Sequence, residues 1–155
     1  AEQMRARARE LPLEPRIAGA LRSLSRPVHV VAIAEDWCGD VIRHVPVLER
    51  KAAETPNLRV RYITRDQHPD VFVRFLTNGG EAIPKLVFLN GQFVECGNWG
   101  PMPARHRELI SRGKACGDVG AARKKVSALY DSDPECREVV GELDALVLVA
   151  SAEAP

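Results

Sequence analysis

The chain lacks an excess of charge of either sign. Its 155 residues include 22 basic and 21 acidic side chains, which leaves a formal net charge of +1. No long-range field of one sign results, so the composition gives no support for binding to nucleic acid or to an anionic membrane. Arg5, Arg7 and Arg9 give a predicted helix at residues 2–11 a basic side. We interpret that helix as a solvated surface arm, with a nucleic-acid contact as the alternative.

Long apolar runs and regularly spaced cysteines are also missing. No segment approaches the roughly 20 apolar residues of a membrane-spanning helix, and no hydrophobic signal segment opens the sequence. The four cysteines lack the spacing of a secreted disulfide framework, and together with the four histidines they lack that of a zinc site. The sequence therefore predicts a cytoplasmic protein without membrane contact or metal, and its 45% hydrophobic content is sufficient for a core.

The most informative stretch is Trp-Cys-Gly-Asp at residues 37–40. A β-branched run, VHVVAIA at residues 28–34, precedes it and predicts a buried strand, while apolar residues near helical spacing predict a helix at 41–54. Cys38 therefore lies where a strand turns into the start of a helix. The unpaired amide N–H groups and the positive end of the helix dipole favour the thiolate there, and we expect the other three cysteines to lack such a position.

The remaining pattern predicts alternating helices and strands. Residues 17–24 show a helical stripe, residues 58–62 alternate like a strand with one wet face, and residues 71–76 predict a helix that Gly79 and Gly80 end. Residues 86–89 and 92–95 predict a hairpin, because the Asn90–Gly91 dipeptide between them favours a type I′ turn. This order predicts an α/β fold with a mixed sheet.

After Gly113 the sequence predicts two helices and no strand. Asp118 can cap the first of them, and Asp133 followed by Pro134 can begin the second. Both helices carry apolar stripes that must be buried, either against the central domain or in a dimer contact. We predict three regions: a helical arm at 1–26, the main domain at 27–112, and a helical extension at 113–155 that packs on the domain.

Two separated motifs resemble the thioredoxin superfamily. The first is the strand that leads into Trp-Cys-Gly-Asp, with Pro46 eight residues after Cys38; the second is IPKLVFLNGQFV at residues 83–94. The most similar branch is a bacterial thioredoxin-like group with Trp-Cys-Gly-Asp, which often carries a later Trp-Gly-Pro-x-Pro, here at 99–103, and extra C-terminal helices. The resemblance covers about residues 27–112 and implies a thioredoxin-like α/β fold, with a central mixed sheet flanked by helices.

The resemblance also implies roles for individual residues. Cys38 corresponds to the nucleophile, and the bond before Pro84 is expected to be cis, which brings the backbone of Ile83 beside the sulfur. An extended peptide or glutathione can then pair with that backbone. The implied substrate-binding residues are Trp37, Gly39, Asp40, Ile83, Pro84, Trp99 and Gly100. Trp37 is expected at the rim, whereas the choice between rim and core stays open for Trp99.

Two positions depart from the family pattern. Val41 stands where a dithiol thioredoxin has its second cysteine, and Ala32 stands where the family has a buried acid. The resemblance therefore implies a single-thiol (monothiol) disulfide oxidoreductase that acts through a Cys38 mixed disulfide. The resemblance implies no resident cofactor, with protein thiols or glutathione as candidate co-substrates.

Other interpretations stay open at this point. The main alternative is a redox-inactive thioredoxin-fold module that binds extended peptides or partner proteins, and a third is an interaction module that acts through the C-terminal helices. Whether Cys96 can resolve a Cys38 disulfide is open, as is the oligomeric state. We expect His44 to be a surface residue, because as a base it would have to reach back across its own helix.

Overall fold

The computed structural model describes residues 2–152. Seven helices and four strands form in this range, and their bounds are α1 Glu2–Glu10, α2 Pro15–Arg22, β1 Val28–Ile33, α3 Gly39–Ala52, β2 Leu58–Ile63, α4 Pro69–Phe72, β3 Lys85–Leu89, β4 Glu95–Trp99, α5 Ala104–Ala115, α6 Val119–Ser132 and α7 Arg137–Ser151. No helix within residues 2–152 combines the length and the apolar character needed to cross a membrane.

The four strands form one mixed sheet in the order β2-β1-β3-β4. Strand β1 runs parallel to β2, with Val28 opposite Leu58, and antiparallel to β3, with Ile33 opposite Lys85. Strands β3 and β4 are antiparallel. The parallel pair needs a crossover, which α3 supplies. The mixed α/β architecture predicted from the sequence is therefore confirmed.

The connection between β3 and β4 differs from the predicted two-residue turn. Strand β4 begins at Glu95 and not at Gln92, so residues 90–94 form a five-residue loop. The Asn90 side-chain oxygen accepts hydrogen bonds from the amides of Gln92 at 2.9 Å and Val94 at 3.0 Å, and Phe93 takes the positive φ of 61°. Asn90 thus satisfies the loop amides through its own side chain, which competes with a tight type I′ turn.

The predicted helix at residues 71–76 is also shorter and less regular. Helix α4 has one turn, and a 3₁₀ turn at Val73–Phe75 follows it. Phe72 and Phe75 are buried, so the aromatic residues of the predicted stripe do face the core. Gly79 has a φ of 74°, a left-handed conformation that glycine adopts readily, and it ends this segment.

Helix α7 is part of the main core. Its buried side chains share one apolar cluster with the central strands β1 and β3 and with α2; they are Val139, Leu143, Val147 and Ala150. Helix α6 packs mainly on α5, and α1 packs on α3. Ala8 and Leu11 are buried in that amino-terminal segment, which is therefore more firmly packed than a solvated arm.

Candidate functional site

Cys38 is the residue that precedes the first turn of α3. Its backbone is extended, with φ −80° and ψ 127°, and its carbonyl accepts the amide of Ile42 at 3.0 Å. The side chain makes no capping hydrogen bond, so the sulfur is not used to hold the helix end. Cys38 is half-buried, and Pro46 lies inside the same helix, as the motif predicted. Cys38 therefore stands at the helix start without capping it, and the residue is partly exposed.

The loop before β3 approaches this sulfur. The Ile83–Pro84 peptide bond is cis, which confirms the prediction from the sequence. Cys38 Sγ donates a hydrogen bond to the Ile83 carbonyl oxygen at 3.5 Å. The backbone of Ile83 and the thiol thus lie side by side, as an extended substrate paired to that backbone would require.

Gly100 and Lys85 hold the Pro84 loop. A Cβ atom added at Gly100 would lie 2.0 Å from the Pro84 carbonyl oxygen, and Gly100 has a φ of 124°. The buried Lys85 Nζ donates to the Gly100 carbonyl oxygen at 3.0 Å and to Thr77 Oγ1 at 2.8 Å. Burial, together with the charge of Arg107, lowers the pKa of Lys85 to about 8. Gly100 is therefore a packing partner of the loop, and Lys85 ties the two together.

The two positions that depart from the family pattern are both apolar and closed to solvent. Val41 packs in a cluster with Ile33, Val45 and Ile83, and Phe72 completes this cluster. Ala32 is fully buried in the main core. Neither position offers a thiol or a carboxyl group, so the apolar surface of Val41 lies one helical turn from Cys38 where a second cysteine would otherwise be.

Trp37 and Gly39 form the exposed rim of the site. The Trp37 side chain is 65% exposed, and the Arg65 guanidinium lies 5.4 Å from its ring centroid. Arg65 is held in turn by two hydrogen bonds to the Glu35 carboxylate, at 3.1 and 3.2 Å. The predicted rim position of Trp37 therefore agrees with its exposure, and a charged pair fixes the neighbouring surface.

Trp99, in contrast, is a core residue. It is 3% exposed, its Nε1 donates to Glu142 at 2.6 Å, and its ring meets the His44 ring edge-on at 5.4 Å between centroids. The predicted substrate-facing role of Trp99 is therefore corrected: helix α7 covers the indole and leaves no surface for a ligand.

Asp40 is connected to the C-terminal segment through Tyr130. The Tyr130 hydroxyl donates to Asp40 Oδ1 at 2.8 Å and lies 3.1 Å from His44 Nε2. Because the hydroxyl proton goes to Asp40, the Nε2–H of His44 is the donor to the tyrosine oxygen. Arg43 braces the same tyrosine, since its guanidinium donates to the Tyr130 carbonyl at 2.9 Å and lies 4.3 Å over its ring. Asp40, two residues after the thiol, is thus positioned by α6.

His44 is buried, so the predicted surface position was wrong. It is 1% exposed, because Trp99 and Tyr130 cover its ring. Burial lowers the pKa of His44 to about 3, helped by the positive charge of Arg43, although Asp40 lies only 3.8 Å away. Burial also raises the pKa of Asp40, which the hydrogen bond from Tyr130 opposes. His44 is therefore neutral at physiological pH and serves as a hydrogen-bond donor to Tyr130.

The four cysteines are all free thiols and differ in exposure. Cys136 precedes the first turn of α7 and so also begins a helix, which corrects the expectation that Cys38 alone does so. Cys136 is only 1% exposed, whereas Cys96 is half-buried and Cys116 is exposed. Cys38 is thus the cysteine that combines a helix start with access from solvent.

Two cavities flank the thiol. One of about 920 Å³ lies between α1, α3 and β2, and Trp37 and Val41 are among its lining residues. The other, of about 530 Å³, lies between the Pro84 loop, α5 and α6, and Ile83 and Asp40 are among its lining residues. Among the residues described, 2–152, no group of three or more side chains is suited to hold a metal ion.

Tyr130, Arg43 and the helices α5 and α6 are parts of the site that the motifs did not reveal. Tyr130 lies 90 residues from Asp40 along the chain. Nothing in its local sequence distinguishes it from the other apolar-stripe residues of its helix, since the stripe alone predicts burial and not a partner. Only the packing of α6 against the start of α3 shows the connection.

Comparisons with known proteins show a family match and two solved structures with a similar fold. A family model described as thioredoxin matches residues 1–119. No curated protein matches the sequence. A crystal structure of a protein of unknown function from Pseudomonas aeruginosa is similar, with a TM-score of 0.65 at 17% identity over 94% of this chain and 82% of that one. An HIV epitope scaffold also has a TM-score of 0.65, at 19% identity over 94% and 81% of the two chains. At these identities the two structures show the shared fold alone.

Proposed function

The chain belongs to the thioredoxin family, and from this premise we propose that it is a single-thiol disulfide oxidoreductase that acts through a mixed disulfide on Cys38. The observation that carries the proposal is the position of Cys38 Sγ, at the start of α3 and 3.5 Å from the Ile83 carbonyl oxygen. A helix start favours the thiolate, which is the nucleophile in thiol–disulfide exchange.

The reaction has two exchange steps. The Cys38 thiolate attacks one sulfur of a substrate disulfide, a new disulfide to Cys38 forms, and the other sulfur leaves as a thiolate that takes up a proton. Because Val41 offers no second thiol, an external thiol must then attack the mixed disulfide and release Cys38. Glutathione or the thiol of a partner protein supplies this second step.

The substrate lies against the backbone of Ile83 in this proposal. Ile83 and Pro84 offer backbone groups to an extended segment, Trp37 and Gly39 form the rim, and Gly100 keeps the loop in place. Asp40 contributes a carboxylate beside the thiol. The Trp-Cys-Gly-Asp and Trp-Gly-Pro-x-Pro motifs support membership of the bacterial branch named above, for which we propose a cytoplasmic location.

The test compares turnover on two kinds of substrate. We expect the protein to remove glutathione from a glutathionylated peptide in the presence of reduced glutathione, and to fail as a catalyst of insulin reduction, which depends on a dithiol. Cys38→Ser should abolish deglutathionylation, while Cys96→Ser should retain it. Val41→Cys should gain weak insulin activity, because Ala32 still lacks the family's carboxyl group.

A different outcome would favour the alternative function. If the wild type and Cys38→Ser behaved alike with every thiol donor while both bound extended peptides, the protein would be a redox-inactive binding module. The buried Val41 and Ala32 agree with such a module, because neither position offers the thiol or the carboxyl group that a dithiol thioredoxin has there. Peptide binding measured by fluorescence of the exposed Trp37 would then report its affinity.

A further inference from the structure

The cavity beside Ile83 is built partly by the C-terminal helices. It has a volume of about 530 Å³, within the roughly 300–1,000 Å³ that is typical of small-molecule sites. Its lining includes Asp40, which is two residues after Cys38, and Ile83, whose carbonyl oxygen accepts the Cys38 thiol at 3.5 Å. The other lining residues come from the loop at residues 77–82, from Pro101 and Met102, and from α5 and α6, so the cavity lies next to the residues that contact the thiol.

Three basic side chains line the cavity: Arg107 and Lys114 of α5, and Arg123 of α6. Within residues 2–152 neither Lys114 nor Arg123 forms an ion pair, whereas Arg107 donates to the Met102 carbonyl oxygen at 2.6 Å. Asp40 is the one carboxylate among the lining residues, and its Oδ1 accepts the Tyr130 hydroxyl. The lining thus carries an excess of positive charge, most of which is available to a ligand.

The cavity on the other side of the thiol has the opposite character. Its lining includes four carboxylates, those of Glu35, Asp36, Glu49 and Asp66, and one basic side chain, Arg5; Arg65 pairs with Glu35, and the remaining three carboxylates still outnumber Arg5. An anion near Cys38 is therefore repelled on the Trp37 side and attracted on the Ile83 side. The charges of the two cavities therefore favour a negatively charged ligand on the Ile83 side of Cys38.

From this arrangement we infer that the cavity at Arg107, Lys114 and Arg123 binds the carboxylate groups of a small anionic thiol, such as a short acidic peptide thiol of the glutathione class, while its sulfur exchanges with Cys38. The inference rests on the proposed function. Lys114 and Arg123 attract the carboxylates, and the apolar side chains of Ile110, Val119 and Val126 contact the aliphatic part. The C-terminal helices thereby select the thiol that resolves the mixed disulfide.

The chemistry at the sulfur is balanced without a further reagent. In the resolving step the small thiol gives its proton to water, and its thiolate attacks the outer sulfur of the Cys38 mixed disulfide. A new S–S bond forms between these two sulfurs, the bond to Cys38 breaks, and the Cys38 sulfur leaves with the electron pair, so the small thiol is oxidised and Cys38 is reduced. The reverse exchange, in which the Cys38 thiolate attacks one sulfur of glutathione disulfide and the other leaves as glutathione, uses the same arrangement and can therefore test it.

The test uses two charge variants that remove equal charge from neighbouring positions. Lys114→Gln with Arg123→Gln alters the cavity, and Lys124→Gln with Lys125→Gln alters exposed α6 residues that do not line it. Mass spectrometry follows the rate at which Cys38 forms a mixed disulfide with glutathione disulfide and with the neutral 2-hydroxyethyl disulfide. We expect the ratio of the two rates to fall about five- to tenfold in the cavity variant and to stay at the wild-type value in the control.

Several other results would overturn this inference. An equal fall in both variants would show a general charge effect and overturn it, as would a wild-type protein that prefers the neutral disulfide. A long acidic peptide disulfide that reacts faster than glutathione disulfide and depends on the same two residues would also overturn it, in favour of an acidic protein partner. If Cys38 reacts with neither small disulfide, the proposed function itself fails. If it reacts with both at rates that do not depend on Lys114 and Arg123, only this inference fails.

Discussion

Cys38 and Cys136 each precede the first turn of a helix, and their difference lies in access from solvent. Cys38 is half-buried with its sulfur beside Ile83, whereas Cys136 is 1% exposed and packs in the main core. A thiol must be reached by its partner before the helix terminus can assist the exchange. The reactivity of a cysteine therefore depends both on its position at a helix start and on its exposure, and the sequence motif indicates only the position.

We expect Cys38 to be the first cysteine alkylated in the native protein. Brief treatment with iodoacetamide at neutral pH, followed by peptide mass spectrometry, should find modification at Cys38 ahead of Cys96 and the exposed Cys116, because only Cys38 joins a helix start to exposure. Cys136 should react only after unfolding. Cys38→Ser should remove the fast phase, and a faster reaction at Cys116 in the wild type would contradict the assignment.

His44 makes the stability of the protein depend on acid. Its pKa is about 3 in the folded protein and near 6.5 when unfolded, so the unfolded state binds the extra proton between these values. Stability from this residue is therefore fully present above pH 6.5 and falls as the pH drops toward 3, by about 1.4 kcal/mol per pH unit. The lowered pKa of His106, again caused mainly by burial, acts in the same direction.

His44→Phe should weaken this acid dependence, because phenylalanine keeps a ring against Trp99 and takes up no proton. Between pH 6.5 and 4.5 the wild type should lose about 2–3 kcal/mol more unfolding free energy than the variant. Urea unfolding at several pH values measures this difference. His68→Phe is a suitable control, since His68 is exposed, and parallel curves for the wild type and His44→Phe would contradict the lowered pKa.

At the scale of secondary structure, the reliable predictions came from strong local patterns. The run VHVVAI forms β1, the motif cysteine begins α3, and the Asp118 carboxylate caps α6 by accepting the amide of Ala121 at 3.0 Å. Asp133 likewise accepts the amide of Arg137 at 2.9 Å, although α7 begins three residues after the predicted Pro134. The prediction of a type I′ turn at Asn90–Gly91 was wrong because the Asn90 side chain, and not the glycine, organises that loop.

Gly100→Ala tests how tightly β4 and the Pro84 loop fit together. An added Cβ would lie 2.0 Å from the Pro84 carbonyl oxygen, so the loop beside Cys38 must move. We expect a loss of about 2–4 kcal/mol in unfolding free energy and a slower exchange reaction at Cys38. Thermal unfolding and mixed-disulfide formation measure the two effects.

Gly117→Ala is the matched control for this variant. Gly117 also has a positive φ, of 72°, but an added Cβ there would meet no atom within 4 Å. Its cost should be limited to the backbone strain, about 1 kcal/mol, with the reaction at Cys38 unchanged. Equal effects of the two substitutions would mean that the contact with Pro84 has no importance of its own.

For the molecule as a whole, the sequence did not predict which contacts the C-terminal helices make with the core and with the site. Their apolar stripes predict burial, but a stripe does not say which surface covers it. In the structure α7 joins the main core and covers Trp99, while α6 brings Tyr130 to Asp40 and Arg123 to the cavity beside Ile83. The motifs thus predicted the nucleophile and its loop, whereas the contacts that surround them connect residues about 90 positions apart.

The packing of α7 on the sheet leads to a prediction about cooperativity. Leu143 is fully buried in the core shared with β1 and β3, whereas Leu148 on the same helix is 57% exposed. Leu143→Ala should lower the unfolding free energy by about 2–5 kcal/mol, because it leaves a cavity in that shared core. Leu148→Ala makes the same chemical change at the surface and should alter stability by less than about 0.5 kcal/mol.

The form of the unfolding transition then tests the proposal that residues 113–155 pack on the domain at 27–112. If they form one cooperative unit, Leu143→Ala shifts a single transition that intrinsic fluorescence and far-ultraviolet circular dichroism report together, because Trp99 lies under α7 and donates to its Glu142. A helical extension that unfolds separately from the domain would instead give two transitions, and the early one would change the fluorescence of Trp99, which α7 covers, while most of the circular dichroism signal was retained. Equal, small effects of Leu143→Ala and Leu148→Ala would show that α7 does not stabilise the domain, and its apolar face would then belong to a contact with another chain.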